Sequence, residues 1–137
     1  MPSDRTPVIA AATRGILHRR HLSVLLADWG TPRLFDPGVL ADSPDAPEYV
    51  AGWGYKPTAE HARGWAAANG LPYLALEDGL IRSYGLGVSG ADALSLVIDD
   101  LGIYYDASRP SRLERMLAHD PLDDPALLAE AEALIAP

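Results

Sequence analysis

The sequence contains no cysteine. That absence excludes disulfides, thiolate metal sites and cysteine nucleophiles, and it fits a cytoplasmic protein. No apolar run reaches the ~18–20 residues that a membrane-spanning helix needs. The N-terminal stretch MPSDRTPVIAAATRGILHRR lacks the basic-then-apolar layout of a secretory signal. Neither G-x-S-x-G nor G-K-[ST] occurs, so the nucleophile-elbow and Walker readings fail. Positive charge is also scarce: 11 Lys and Arg stand against 19 Asp and Glu, a formal net charge of −8. The imbalance gathers late, with nine acidic residues against three arginines from Asp99 onward. Such a surface repels phosphate backbones, so no nucleic acid partner is expected. The first twenty residues reverse the sign, with four arginines against Asp4. This patch reads as a solvated helix face, with anionic lipid headgroups as the alternative. The histidines are His18, His21, His61 and His119, and none has a partner at metal-ligand spacing on an apolar face, so no metal site is expected.

What is present suits one small α/β domain. The chain has 137 residues and is 48 % hydrophobic, enough for a core. PVIAAATRGILHRR reads as a strand or turn running into a helix. The apolar run Leu22–Ala27 reads as a buried strand, and TPRLFDPGVLADSPDAPE, rich in Pro and Asp, as a loop. YVAGWG is a short strand. KPTAEHARGWAAANG is a helix, with Thr58 as expected N-cap, Asn69-Gly70 as stop, and Ala62, Trp65 and Ala66 on one apolar face. LPYLALEDG and ALSLVIDD are strands, and LGIYYDAS is a turn with a short strand. Ser111 and Glu114 have capping-box spacing, and Asp124-Pro125 opens a last helix. This β/α alternation argues for an open, largely parallel sheet, whose ligands bind beyond the C-terminal strand ends.

Two strands end in acidic pairs, Glu77-Asp78 and Asp99-Asp100. Adjacent carboxylates can split into acid and base roles. Equally, Asp78, Asp99 and Asp100 can cap helices or close turns. Between the pairs, Gly85, Gly87 and Gly90 match G-x-G-x-x-G. A dinucleotide fingerprint follows a strand and opens a helix. Here a charged, glycine-broken segment precedes the glycines and a strand follows them, so they read as a turn-rich loop making a close backbone approach. WGYKP sets a turn and a cation at the same sheet edge.

WGYKP, EDGLIRSYGLG, LSLVIDDLGIYYDA and PSRLE stand in one order. Together they resemble the KpsC-type retaining β-Kdo glycosyltransferases, capsule polysaccharide biosynthesis and export proteins of Gram-negative bacteria. The resemblance is strong over about residues 50–117 and extends to the flanks only in layout. It implies a Rossmann-like open parallel sheet, the N-terminal half of a GT-B glycosyltransferase module. It implies a CMP-Kdo donor, a Kdo-bearing phospholipid acceptor and retention at the anomeric carbon. No cofactor is implied beyond that donor substrate. The location implied is cytoplasmic, at the cytoplasmic face of the inner membrane.

Carried over residue by residue, the resemblance makes Glu77 the general acid/base on the acceptor hydroxyl. Asp78 falls in the same acidic motif and joins the substrate-binding set. Arg82 and Ser83 would hold the Kdo carboxylate, which a guanidinium can do bidentately. Gly85 and Gly87 would shape that loop. Asp99, Asp100, Tyr104, Tyr105 and Asp106 match DDxGIYYDA as acceptor-side or structural residues. The family's nucleophilic aspartate and donor-binding domain are implied to lie beyond residue 137. The expectation is one truncated domain over 1–137, inactive without a complementing donor-domain chain, with an exposed apolar face that favours association. Two alternatives stand beside it. One is a non-catalytic glycolipid-binding remnant. The other is an α/β nucleotide enzyme, which NAD or ATP affinity sensitive to Gly85→Ala and Gly87→Ala would favour.

Overall fold

The computed structural model describes residues 5–38, 44–81 and 93–136. Five strands form one sheet in the order β2-β1-β3-β4-β5. They are β1 (Val8–Ala11), β2 (Thr31–Leu34), β3 (Tyr49–Trp53), β4 (Tyr73–Asp78) and β5 (Leu96–Asp99). The pairs β1–β2, β1–β3 and β3–β4 are parallel, as the alternation of strands and helices required. The β4–β5 pair is antiparallel, with Ala75 opposite Asp99 and Asp78 opposite Leu96.

Helices cover both faces of the sheet. On one face, α1 (Arg14–Leu17) and α2 (Leu22–Leu25) dock Ile16, Leu22 and Leu26 onto Ile9, Ala11, Ala51, Leu74 and Leu76. On the other, α3 (Glu60–Ala68) sets Ala62 and Ala66 against Ala10 and Val50. Small residues on α3 allow its axis close to the sheet. Near-continuous burial of VIAA in β1 and of YLALED through Leu76 in β4 is the pattern of strands covered on both sides.

Of the segment Leu22–Ala27, Leu22–Leu25 form α2 and the last two residues a turn, not the buried strand expected. Leu22 and Leu26 are buried while Ser23, Val24 and Ala27 are exposed, which is helical spacing. Within the stretch expected to be loop, Thr31–Leu34 pairs with β1 as an edge strand, where Pro32 is tolerated because only one side of the strand needs donors. Thr58 is not an N-cap. A 3₁₀ turn, Pro57–Ala59, precedes α3 and begins at Lys56. LGIYYDAS forms turns only.

Asn69 and Gly70 do stop α3, with Gly70 at φ +66°. The last helices are α4 (Arg112–His119) and α5 (Pro125–Ile135). Ser111 caps α4 reciprocally: Glu114 N donates to Ser111 Oγ at 3.1 Å and Ser111 N donates to Glu114 Oε2 at 2.7 Å. Asp124 caps α5, accepting from Ala126 N at 2.8 Å. Among the described residues, no helix is long and apolar enough to cross a membrane.

Candidate functional site

The strand order changes direction at β1 and β3, and such switch points open a crevice beyond the C-terminal strand ends. At that edge β3 ends in Trp53-Gly54-Tyr55. Gly54 N donates to Leu76 O at 2.8 Å, so the β3–β4 pairing continues one step past Trp53. Gly54 then turns the chain at φ +50°. A side chain there would displace Tyr105: a Cβ would overlap Tyr105 Oη and lie 3.5 Å from Glu77 Oε2. Glu77, Gly54 and Tyr105 therefore meet at one point on the sheet edge.

Hydrogen bonds hold this point from below. Tyr73 Oη donates to Gly54 O at 2.8 Å, and burial pushes the Tyr73 phenol well above its ordinary pKa. The phenol stays a donor at neutral pH. Tyr55 N donates to Tyr105 Oη at 3.3 Å. Glu77 is half-buried, and Asp78 N donates to its Oε1 at 3.2 Å. A half-buried carboxylate at an open strand end, with its second oxygen turned to the Gly54 turn, can take a proton from a bound hydroxyl. Cations line the same edge. The Arg19 guanidinium lies 4.8 Å and the Lys56 ammonium 5.9 Å from the centre of the Trp53 ring.

The second acidic pair does not join the first. Because β5 runs antiparallel, its C-terminal end lies level with Ala75, two residues back from Glu77 and about 7 Å along the strand. The expectation that both pairs converge on one edge is corrected. Asp99 is buried at 2 % exposure and ties the chain together. Its Oδ1 accepts from Leu101 N at 2.9 Å and Gly102 N at 2.8 Å, and its Oδ2 from Arg112 N at 2.8 Å. Asp100 accepts from Arg112 Nε at 2.6 Å and Nη2 at 2.7 Å, which holds its carboxyl below the usual carboxylate range. Asp106 accepts from Ser108 N at 2.9 Å and Ser108 Oγ at 3.0 Å and is lowered likewise. Tyr104 and Tyr105 are half exposed, edge to face at 5.3 Å.

Arg82, Ser83, Gly85 and Gly87 lie outside the described residues. The flanks of their segment are held together beside Glu77. Gly79 N donates to Ser95 O at 3.0 Å, and Ser95 Oγ donates to Ile81 O at 2.8 Å. Two contributors to this edge, Tyr55 and Tyr73, were not singled out from the sequence: WGYKP was noted for its turn and its cation, and a tyrosine at a strand start carries no local signal.

Comparison with known proteins fits this geometry. Residues 48–131 match the family described as capsule polysaccharide biosynthesis protein. The chain is 45 % identical over 123 residues to the capsule polysaccharide modification protein LipA of Neisseria meningitidis serogroup B, covering 89 % of this chain and 16 % of LipA. It is 41 % identical over 69 residues to the lipopolysaccharide-processing protein LpsZ of Rhizobium meliloti, covering 50 % of this chain and 16 % of LpsZ. Thus the chain spans about a sixth of the length of these relatives. In structure it is similar to KpsC of Thermosulfurimonas dismutans, a β-Kdo 2,4-transferase, at a TM-score of 0.75 and 42 % identity over 93 % of this chain and 37 % of that one. The matched family spans well over half of the residues, and the chain belongs to the capsule polysaccharide biosynthesis proteins.

Proposed function

We propose that this chain forms the acceptor-side wall of a retaining β-Kdo transferase that builds a capsule linker. The observation that carries the reading is the Glu77 carboxylate at the C-terminal end of β4, against Gly54 and Tyr105, in a chain 42 % identical to a β-Kdo transferase. The donor is CMP-Kdo and the acceptor a Kdo-bearing phospholipid at the cytoplasmic face of the inner membrane. The architecture is GT-B, with the catalytic cleft shared between this sheet and a donor-binding domain.

In the reaction, an aspartate of the donor domain displaces CMP from the anomeric carbon, and an acceptor hydroxyl then displaces that aspartate. Two inversions leave the configuration retained. Glu77 takes the hydroxyl proton as the new glycosidic C–O bond forms. Gly54 brings backbone rather than side chain to that point. Arg82 and Ser83 hold the sugar carboxylate. The nucleophile belongs to the other wall, so this wall alone does not catalyse transfer.

The test is Kdo transfer from CMP-Kdo to a synthetic Kdo-terminated lipid. It is run with the 137-residue chain alone, and with a separately produced donor-domain half. Activity is expected only in the mixture, and Glu77→Gln is expected to lower it by about 10²–10⁴-fold, the usual contribution of a positioned acid/base group. A folded wild-type chain inactive in every combination would favour a glycolipid-binding remnant. Full activity of Glu77→Gln would remove Glu77 from the chemistry.

A further inference from the structure

A second site lies apart from Glu77, on the α3 face of the sheet. Between α3 and the turns after β5 there is a groove of 380 Å³, lined among others by Tyr55, Arg63, Tyr73, Asp100, Asp106 and Arg109. Two arginines approach the Tyr55 ring. The Arg63 guanidinium comes from α3, 5.0 Å from the ring centre, and the Arg109 guanidinium from the turn before α4, 5.8 Å away.

The two arginines and two aspartates of this lining balance formally, and the Arg109 charge helps to lower Asp106, but both aspartates have hydrogen-bond partners of their own. Asp100 is engaged at both oxygens by Arg112, and Asp106 at both by Ser108. Among the described residues, neither Arg63 nor Arg109 has an ion pair. Arg63 Nη1 is moreover shut off from solvent and, among the described residues, has no hydrogen-bond acceptor. Buried donors are ordinarily satisfied, and a charged one left alone marks a place where an acceptor belongs. Burial raises the pKa of the Tyr55 phenol, so it too remains a donor at neutral pH. The described lining thus offers two guanidinium forks and a phenol, a donor set that matches an oxyanion with several acceptor oxygens.

We propose that this groove binds an oxyanion, a carboxylate or phosphate, through Arg63 and Arg109 beside the Tyr55 ring. The site stands on this geometry. Its link to the acceptor rests on the transferase reading, in which both a sugar carboxylate and a lipid phosphate are at hand. Tyr55 connects the two places, since its backbone N–H bonds the Tyr105 hydroxyl that meets Gly54 and Glu77.

The test follows the arginine Nε–H signals of the 137-residue chain by nuclear magnetic resonance. Inorganic phosphate and free Kdo are titrated separately, with chloride at equal ionic strength as control. Saturable shifts of the Arg63 and Arg109 signals are expected with one or both oxyanions and not with chloride. The tighter of the two names the source, lipid phosphate or sugar carboxylate. Arg63→Gln and Arg109→Gln should each weaken binding about tenfold. Arg63→Lys, which keeps the charge but loses the fork, should fall between. Arg109 is exposed, so Arg109→Gln decides the matter if Arg63→Gln fails to fold. Glu77→Gln should bind as wild type. Full transfer by Glu77→Gln with oxyanion binding intact therefore counts against the Glu77 chemistry alone. Shifts that chloride reproduces, or that survive both arginine substitutions, overturn the site.

Discussion

At the scale of single residues, the turn after β3 depends on Gly54. Its φ of +50° disfavours any L side chain, and a Cβ would strike Tyr105 Oη beside Glu77. Gly54→Ala is therefore expected to do two things. The left-handed backbone costs roughly 1–2 kcal/mol of stability. The methyl also pushes the Tyr105 ring away from Tyr55 N, which opens the contact that closes the sheet edge. A thermal melt reads the first effect. The Tyr105 ring signals in a nuclear magnetic resonance spectrum read the second. A variant with wild-type melting and unmoved Tyr105 signals would mean that Gly54 is not held by these contacts. Asp99 shows the other outcome. Its position in an acidic pair left a ligand role and a turn or cap role open, and three backbone N–H groups fill its carboxylate. Residue type and spacing are legible in a sequence, whereas the partners that occupy a carboxylate depend on the fold.

At the scale of elements, α4 is anchored by carboxylates at its N-terminus. Asp99 accepts from Arg112 N, Asp100 grips the Arg112 side chain, and Glu114 closes the capping box with Ser111. Asp100 is lowered chiefly by the hydrogen bond from Arg112, and Glu114 chiefly by that from Ser111 N. A carboxylate lowered on folding adds stability above its unfolded pKa of about 4 and loses it as pH falls through the folded value. The melting temperature should therefore fall between about pH 5 and pH 2. Asp100→Asn should cost about 1 kcal/mol at pH 7, a modest figure because the Arg112 side chain is 42 % exposed and screened by solvent. The loss on acidification should also be shallower in that variant, and the two melting curves should converge at low pH. An equal slope in both would show that the pair does not contribute.

The capping signals that hold α4 and α5 were readable in advance, because Ser111, Glu114, Asp124 and Pro125 act through local bonds. The segment Leu22–Ala27 was not readable. A short apolar run fits a buried strand or a helix equally, and only docking onto Ile9 and Leu74 decides between them. Likewise, β5 announced itself as a strand but not its direction, which set Asp99 opposite Ala75 rather than beside Glu77 at the strand end.

At the scale of the whole molecule, apolar surface is concentrated at the C-terminal end. No residue of α4 or α5 is buried. Leu117, Leu127, Leu134 and Ile135 are 65 %, 61 %, 67 % and 81 % exposed. Exposed patches of this kind drive association. Opposing it is the acidic charge of the same region, where Asp120, Asp123, Asp124, Glu130 and Glu132 repel their counterparts on a second copy. The two forces respond oppositely to salt. Screening weakens the repulsion between charges more than about 10 Å apart at 0.1 M, while sulfate strengthens apolar burial. Sedimentation velocity should therefore show self-association that grows with protein concentration and with added sodium sulfate. Leu127→Glu with Leu134→Glu should shift the distribution to monomer under both conditions. A monomer at high concentration that sulfate does not change would show that these helices cover their apolar residues within one chain. Association that salt weakens would instead assign the contact to charge, placing it on the arginines of the N-terminal segment against this acidic end.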